Sequence, residues 1–346
     1  MLTRRSLLAA AAAQVRLPRK LRLAMIGFDG HPGEITAPLP RLPDIEVAAI
    51  SDPDPAVLDR QARNPRLASA RRYADYRTML EREQLDLLAV NNSNGARAAA
   101  VLAGLERKLH VIAEKPLALT RGDLEAIVQA RARAGVQIGM LLPMRFSPPY
   151  LALRQLVASG AIGEAGNVSA QKSYKAGNRE AWMRRRASYG GTIPWIGIHM
   201  FDLMRWASGR EFTEAFSFDA QVGPPPGIGE MENTTGTLFR LDNGGVATLH
   251  MDYYRPDAAP THGDDRLRIA GTKGVAEYTA ATGVTLLAGK FERIEKLPEA
   301  QPVFIDFVDA VFNGKPTALP FDDIYRVCRI TLAAEESARR GQLVRV

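Results

Sequence analysis

At 346 residues, with 46% hydrophobic and 24% charged side chains, the chain has an ordinary globular composition and the length for two domains with substantial cores. Its formal charge of +7 does not imply a polyanionic partner: Arg4, Arg5, Arg16, Arg19 and Lys20 precede residue 21 with no acid among them, leaving 40 basic residues to face 38 acidic ones, so nucleic acid is not expected as a partner. The only cysteine, Cys328, excludes an internal disulfide and, in an apolar-periodic segment, reads as a small buried hydrophobe.

Residues 1–20 read as an export signal and linker. Arg4-Arg5 precede Leu7-Leu8 and the run Ala9 to Ala13, whose small residues suit cleavage, and the paired arginines resemble a twin-arginine signal. A periplasmic protein is therefore expected, or a cytoplasmic one if this stretch is only a short basic tail. No other apolar run approaches the ~20 residues needed to cross a bilayer, so no membrane span is expected.

Leu21 to Ile26 is a strand candidate that runs into Gly27-Phe28-Asp29-Gly30-His31-Pro32-Gly33, with a helix expected from Ile35. A glycine-rich turn lets the backbone approach a pyrophosphate whose charge a helix N-terminus stabilises, which makes Gly27, Phe28 and Gly30 candidate dinucleotide contacts. The spacing is irregular, because the second and third glycine positions counted from Gly27 fall on Asp29 and Pro32. A carboxylate at Asp29 would repel a pyrophosphate. The second strand, Ile45 to Ile50, is followed by Asp52, 25 residues beyond Gly27. Such a carboxylate accepts hydrogen bonds from ribose hydroxyls and repels a 2'-phosphate, favouring NAD over NADP; the alternative is a turn residue in Asp-Pro-Asp-Pro.

Arg77 to Arg82 is predicted helical, and Leu85 to Val90 is a buried strand ending in Asn91-Asn92-Ser93-Asn94, before a helix over Gly95 to Arg107. The next strand, in Leu109 to Ala118, carries Glu114 and Lys115 at its C-terminal end, where ligands bind in open α/β sheets. Lys115 can donate to a substrate oxygen and, if desolvated, exchange a proton near neutral pH; the alternative is a solvated strand end before a proline. A helix over Arg121 to Ala134 and a strand over Val136 to Leu141 complete a pattern that implies a parallel sheet with right-handed crossovers, giving a first domain at 21–142.

Beyond the crossing at Pro143 to Pro149 and a helix over Tyr150 to Ser159, the periodicity changes. Strand-like runs at Asn167 to Lys175, Ala215 to Val222, Thr234 to Leu241, Gly245 to Tyr253, Leu267 to Ala270 and Val275 to Thr279 mostly lack helices between them, which predicts an α+β domain at 143–300 with a largely antiparallel open sheet. Asp242-Asn243-Gly244 marks a hairpin turn. Within this half, Gly190-Gly191 precede His199 and an apolar helical pattern at Met200 to Trp206. A histidine suits proton transfer near neutral pH, although a lone one on an apolar helix is commonly a hydrogen-bonded core residue. Closing helices are expected at Phe304 to Phe312 and Ile324 to Arg339, within a segment at 301–346. The five histidines show no paired metal-ligand spacing, so no metal is expected.

Glu114-Lys115-Pro116 after a hydrophobic strand resembles the glucose-fructose oxidoreductase/inositol dehydrogenase (Gfo/Idh/MocA) family. Further landmarks are Arg145-Phe146 with Pro149-Tyr150, Ser159-Gly160-Ala161-Ile162-Gly163-Glu164, Gly190-Gly191 with His199, and Gly271-Thr272-Lys273-Gly274. The resemblance implies a Rossmann-type nucleotide domain followed by the α+β domain, and hydride transfer between NAD and a secondary hydroxyl or ketone of a sugar or cyclitol. It places Lys115 and His199 in catalysis, Asn92, Asn94, Glu114 and Arg145 beside the cofactor, and the closing helices against the first domain. It also implies a homo-oligomer. The family's aspartate, four residues before the histidine, is here Trp195, which cannot accept a proton and is expected to stack on a sugar ring or to mark reduced chemistry, the alternative being a tryptophan packed in the core. Asn178 and Asp202 are expected to hydrogen-bond the polyol, and Arg184-Arg185-Arg186 either clamp an anion or form a solvated face. Alternatives within the resemblance are an NAD-dependent glycoside hydrolase and a catalytically reduced ligand-binding member.

Overall fold

Apolar runs such as Leu21-Arg22-Leu23-Ala24-Met25-Ile26 bury nearly every side chain, as strands covered on both faces by helices must. In the computed structural model, which describes residues 14–346, six such strands form one parallel sheet. They are β1 (Leu21–Ile26), β2 (Ile45–Ser51), β3 (Arg71–Tyr73), β4 (Leu87–Val90), β5 (His110–Ala113) and β6 (Ile138–Met140), in the order β3-β2-β1-β4-β5-β6. The crossovers carry α1 (Gly33–Thr36), α2 (Pro55–Ala62), α3 (Tyr76–Arg82), α4 (Asn94–Glu106) and α5 (Arg121–Ala134). The expected export signal lies outside the described residues.

The chain reverses its order about β1, and the strand ends on either side of that point open a crevice. One expectation fails there. The helix after the glycine turn is only four residues long, because Pro38 and Pro40 remove amide donors just where it would continue. It cannot present a helix N-terminus to a pyrophosphate as a long helix would. The 13-residue α4, entered through Asn92 and Ser93, is the substantial helix that starts at the crevice.

After α6 (Pro148–Ala158) the pattern becomes antiparallel. Nine strands form the second sheet: β7 (Ala165–Tyr174), β8 (Phe212–Ala220), β9 (Thr234–Leu241), β10 (Val246–Asp252), β11 (Gly263–Gly271), β12 (Val275–Thr279), β13 (Gly283–Ala288), β14 (Lys290–Arg293) and β15 (Val344–Arg345). Their order is β14-β13-β12-β11-β7-β10-β9-β8-β15, with only β7 and β10 parallel. Strands β9 and β10 alternate buried and exposed residues, one face on the core and one open, and the Asp242–Gly244 turn joins them as expected. The two glycine-rich landmarks meet, since Thr272 and Lys273 donate their amides to the carbonyls of Glu164 and Ile162.

Between β7 and β8, α7 (Arg186–Tyr189) leads through a π-helical turn at Ile193–Gly197 into α8 (Ile198–Ser208), which packs on β7 and α6. Near the end of the chain, α9 (Val303–Asn313) packs against β5 and α1, and α10 (Phe321–Arg340) touches β8, α8, α5 and β6, so it spans both sheets.

Candidate active site

Two cavities flank the segment Phe28 to His31. The larger, about 1110 Å³, lies at the ends of β1, β2 and β4 and is lined by Gly27, Phe28, Asp29, Asp52, Asn92, Ser93 and, from the second domain, Glu180 and Trp182. Gly27 has φ +72°, and a Cβ there would lie 2.5 Å from the Asn92 Cα, so only glycine allows β1 to meet the β4 loop this closely. The Asn92 side chain donates to the Ala96 carbonyl, while its Oδ1 is buried in this wall without a partner. Asp52 stands at the end of β2, where sequence reasoning expected a ribose-binding carboxylate, and accepts from the Asp54 amide. An open acceptor, a terminal carboxylate and a crevice larger than the ~300–1,000 Å³ of single small-ligand sites together fit a dinucleotide.

Five carboxylates line this cavity, Asp29, Asp52, Asp54, Asp75 and Glu180, and Asp29 opposes an anionic ligand most directly. Burial, with the Glu180 and Asp52 carboxylates, pushes the Asp29 carboxyl up to about 6, against the Arg97 guanidinium and the Ser93 amide that favour its ionised form. The contact with Ser93 sets Asp29 at the N-terminus of α4, the position an anionic ligand group would favour.

The second cavity, about 530 Å³, is lined by Gly30, His31 and Lys115 from the first domain and by Tyr150, Tyr174, Arg179, Trp195, His199, His262 and Asp265 from the second. Lys115 and His199 therefore share one cavity across the domain junction. Lys115 is buried; its Nζ donates to the Trp195 carbonyl at 2.6 Å and lies 3.1 Å from the centre of the Trp195 ring. Burial drives its pKa well below that of ordinary lysine, assisted by Arg97 and Lys172 and opposed by Glu114. A lysine so placed gives up its proton more readily than an exposed one and can take part in proton exchange.

His199 is also buried, and its Nδ1 has no partner. Burial, followed by the nearby Lys115, Lys172 and His31, holds its pKa well below the ordinary histidine value, so the resting imidazole is neutral and holds a proton only transiently.

Glu114 is fully buried. Its carboxylate accepts from the His31 amide and Nδ1, each at 2.7 Å, and from the Lys115 amide at 2.8 Å. Burial would raise its pKa, but His31, Lys115 and Arg97 prevail and hold it at about 2. Gly30 makes the approach possible, since a Cβ there would stand 2.6 Å from the Glu114 Oε2. Beneath this knot the buried Arg97 donates to the carbonyls of Asn92, Lys115 and Pro116, fixing the β4 and β5 ends relative to each other.

Several expected contacts lie elsewhere. Arg145 does not face the cleft: its guanidinium is buried against Asp202, Asp323 and the Ala318 carbonyl, so it joins the domain crossing to α8 and α10. Asp202, expected at the substrate, is spent on this ion pair. Asn94 is buried at the start of α4, where it donates to the Tyr189 carbonyl and accepts from Arg97, so it links the domains and lines neither cavity. Asn178 is exposed and lines neither cavity. The Trp195 ring lines the second cavity, but the Lys115 ammonium, a stacked His31 and an edge-on Trp182 pack around it, leaving little of it for a sugar. Arg186 pairs with Glu232 and Glu335, which accounts for part of the arginine run by packing.

His31, Lys172, Arg179 and Asp265 escaped the sequence reading. Lys172 and Asp265 are cross-strand partners of β7 and β11, 2.8 Å apart at Nζ and Oδ2, a pairing visible only once the register is known. His31 lies in the glycine turn itself, and no spacing in the sequence marks it as a partner of Glu114, 83 residues away. Among the described residues no group of three or more histidine, cysteine or acidic side chains is arranged to hold a metal.

Residues 21–141 match the profile described as the oxidoreductase family with an NAD-binding Rossmann fold, and residues 150–277 match that of the GFO/IDH/MocA C-terminal domain. A solved structure from Thermotoga maritima, assigned as an oxidoreductase, shares 33% identity and superposes with a TM-score of 0.87 over 94% of this chain and 100% of its own. The myo-inositol 2-dehydrogenase of Thermotoga maritima is 25% identical over 342 residues, covering 94% of this chain and 98% of the relative. Aldose-aldose oxidoreductase from Caulobacter crescentus, solved with glycerol, shares 22% identity with a TM-score of 0.80 over 95% of this chain and 100% of its own.

Proposed function

The chain belongs to the Gfo/Idh/MocA oxidoreductase family, and from that premise we propose that it moves hydride between NAD and a secondary hydroxyl or ketone of a sugar or cyclitol, in the periplasm and as a homo-oligomer. The observation that carries the chemistry is the shared cavity: Lys115 from the end of β5 and His199 from α8 line one 530 Å³ space beside the dinucleotide crevice.

The residues of the larger cavity would hold the cofactor: Asp52 the ribose hydroxyls, and the Gly27 turn and the Asn92–Ser93 loop the backbone-facing side. NAD, when bound, supplies the acceptor for hydride. Lys115 donates a hydrogen bond to the reacting substrate oxygen and lowers the cost of negative charge developing there. His199, neutral and with Nδ1 unpartnered, takes the hydroxyl proton in the oxidative direction and returns it in the reductive one. Glu114, ionised and fixed by three donors, balances Lys115 and holds His31 against the cavity. The aromatic walls Tyr150, Tyr174 and Trp195 exclude water from the reacting centre.

The twin-arginine-like stretch supports export. Assembly is supported by Phe218, Leu238 and Val246, which expose apolar surface on the open face of the second sheet. The full chain, purified and incubated with NAD and a panel of polyols, aldoses and sugar acids, should form NADH for at least one of them, as followed by absorbance. NADH formation with none of the panel, together with failure of the protein to bind NADH, contradicts the reading.

A further inference from the structure

Among the described residues, the lysines and arginines around the second cavity are each held by a carboxylate or by two backbone carbonyls, with one exception. Lys115 is offset by Glu114, which also engages His31. Lys172 is paired with Asp265. Lys175, just beyond β7, spends its ammonium on the carbonyls of Asp257 and Ala259. Arg255 lies toward Asp264 and bonds Thr261.

Arg179 is left over. It lines the cavity half-buried, one guanidinium nitrogen donates to the Lys175 carbonyl at 2.8 Å, and the group lies 4.4 Å from the centre of the Tyr253 ring. Its Nε is buried without a partner, and among the described residues no carboxylate pairs with it. The adjoining Glu180 does not: its carboxylate accepts from the Trp182 indole and faces the dinucleotide crevice. A cation held in a part-desolvated wall without a counter-ion loses hydration and recovers little from the protein. Arg179 adds to the burial that depresses the pKa of His262, its neighbour in the wall.

From this imbalance we propose that the substrate is a sugar acid, a uronate or aldonate, whose carboxylate docks on Arg179 beside His262 while its reacting carbinol faces Lys115 and His199. The proposal rests on the dehydrogenase reading of the same cavity. A planar guanidinium fork with a free Nε matches a carboxylate in two-pronged geometry. One guanidinium held by a single backbone carbonyl suits a monoanion better than a doubly charged phosphate ester. The Asp265 Oδ1, buried and unpartnered in the same wall, is placed to accept from a substrate hydroxyl.

The test titrates the protein–NADH complex by calorimetry with matched pairs: D-glucuronate against D-glucose, D-galacturonate against D-galactose, and D-gluconate against D-glucitol, with D-glucose 6-phosphate as a further arm. At least one acid should bind ten-fold or more tightly than its neutral partner and than the phosphate. Arg179→Gln should remove that preference, and Arg179→Lys should retain part of it, with the thermal midpoint of each variant confirming its fold. Equal affinity within every pair, including undetectable binding of both members, overturns the proposal, as does tighter binding of the phosphate. NADH formation from neutral polyols alone overturns it while leaving the dehydrogenase reading intact. Failure to bind NADH at all counts against that reading instead.

Discussion

Asp29 is one of five carboxylates that line the dinucleotide crevice, with Asp52, Asp54, Asp75 and Glu180, and the one set at the N-terminus of α4; Asp29→Asn isolates its effect. Its carboxyl, ordinarily at 3.8, is pushed up to about 6 by burial and by Glu180 and Asp52. That interval corresponds to ~3 kcal/mol, which solvent screening of a partly exposed group reduces to roughly 1–2 kcal/mol. Because the folded-state value is raised, the stabilising contribution is complete below pH 3.8 and is lost as pH climbs through about 6. Asparagine removes the charge and keeps an acceptor for the Ser93 amide. The variant should therefore be more stable than the parent by roughly 1–2 kcal/mol at pH 8, and by about a third of that at pH 4.5. NADH affinity at pH 8 should also rise, because asparagine carries no charge to repel the pyrophosphate. Urea denaturation at the two pH values and fluorescence titration with NADH measure both effects. A variant no more stable than the parent at pH 8, or a gain that grows toward acid, refutes the reasoning.

Lys115→Met should lower kcat/KM by about 10²- to 10⁴-fold without loss of stability, since the buried ammonium is destabilised by its surroundings; because the folded-state pKa is depressed, any stability gain is complete below that folded-state value and fades as pH rises to 10.5. Thermal melts beside steady-state kinetics check both halves. Asp202→Asn should cost roughly 3–5 kcal/mol by leaving Arg145 short of a buried counter-charge, and denaturant unfolding should show it; an unchanged stability with a raised KM would return Asp202 to the substrate. Asp52→Ala should narrow the preference for NAD over NADP by at least ten-fold in kcat/KM, because the carboxylate at the end of β2 no longer repels a 2'-phosphate.

Most of the parallel sheet was legible because its strands are buried on both faces and read as unbroken apolar runs. Arg71–Tyr73 was not, since this short edge strand is charged and largely exposed. The two residues of β15 carry too little pattern to register at all. A helix was expected from Ile35 onward, and Pro38 and Pro40 hold it to the four residues Gly33–Thr36.

In the site, Lys115 and His199 could be named from the motifs around them. Their meeting in one cavity could not, because they lie on different domains. Arg145 and Asp202 were misplaced for the converse reason: a guanidinium and a carboxylate near a motif look available until a partner 57 residues away, and Asp323 beyond it, consume them. Arg179 stands outside every motif, and only its neighbours in three dimensions separate it from the exposed Arg184 and Arg185 and from Arg186, which is paired with Glu232 and Glu335.

The most direct test of the central claim is a crystal structure of the protein bound to NADH. The account predicts the adenosine ribose at Asp52 and the nicotinamide ring at the junction of the two cavities. Its reactive carbon should face a space from which a substrate carbon ~3–3.5 Å away is within hydrogen-bond reach of Lys115 and His199 through its oxygen. A nicotinamide ring that lies outside the cavity of Lys115 and His199 contradicts it.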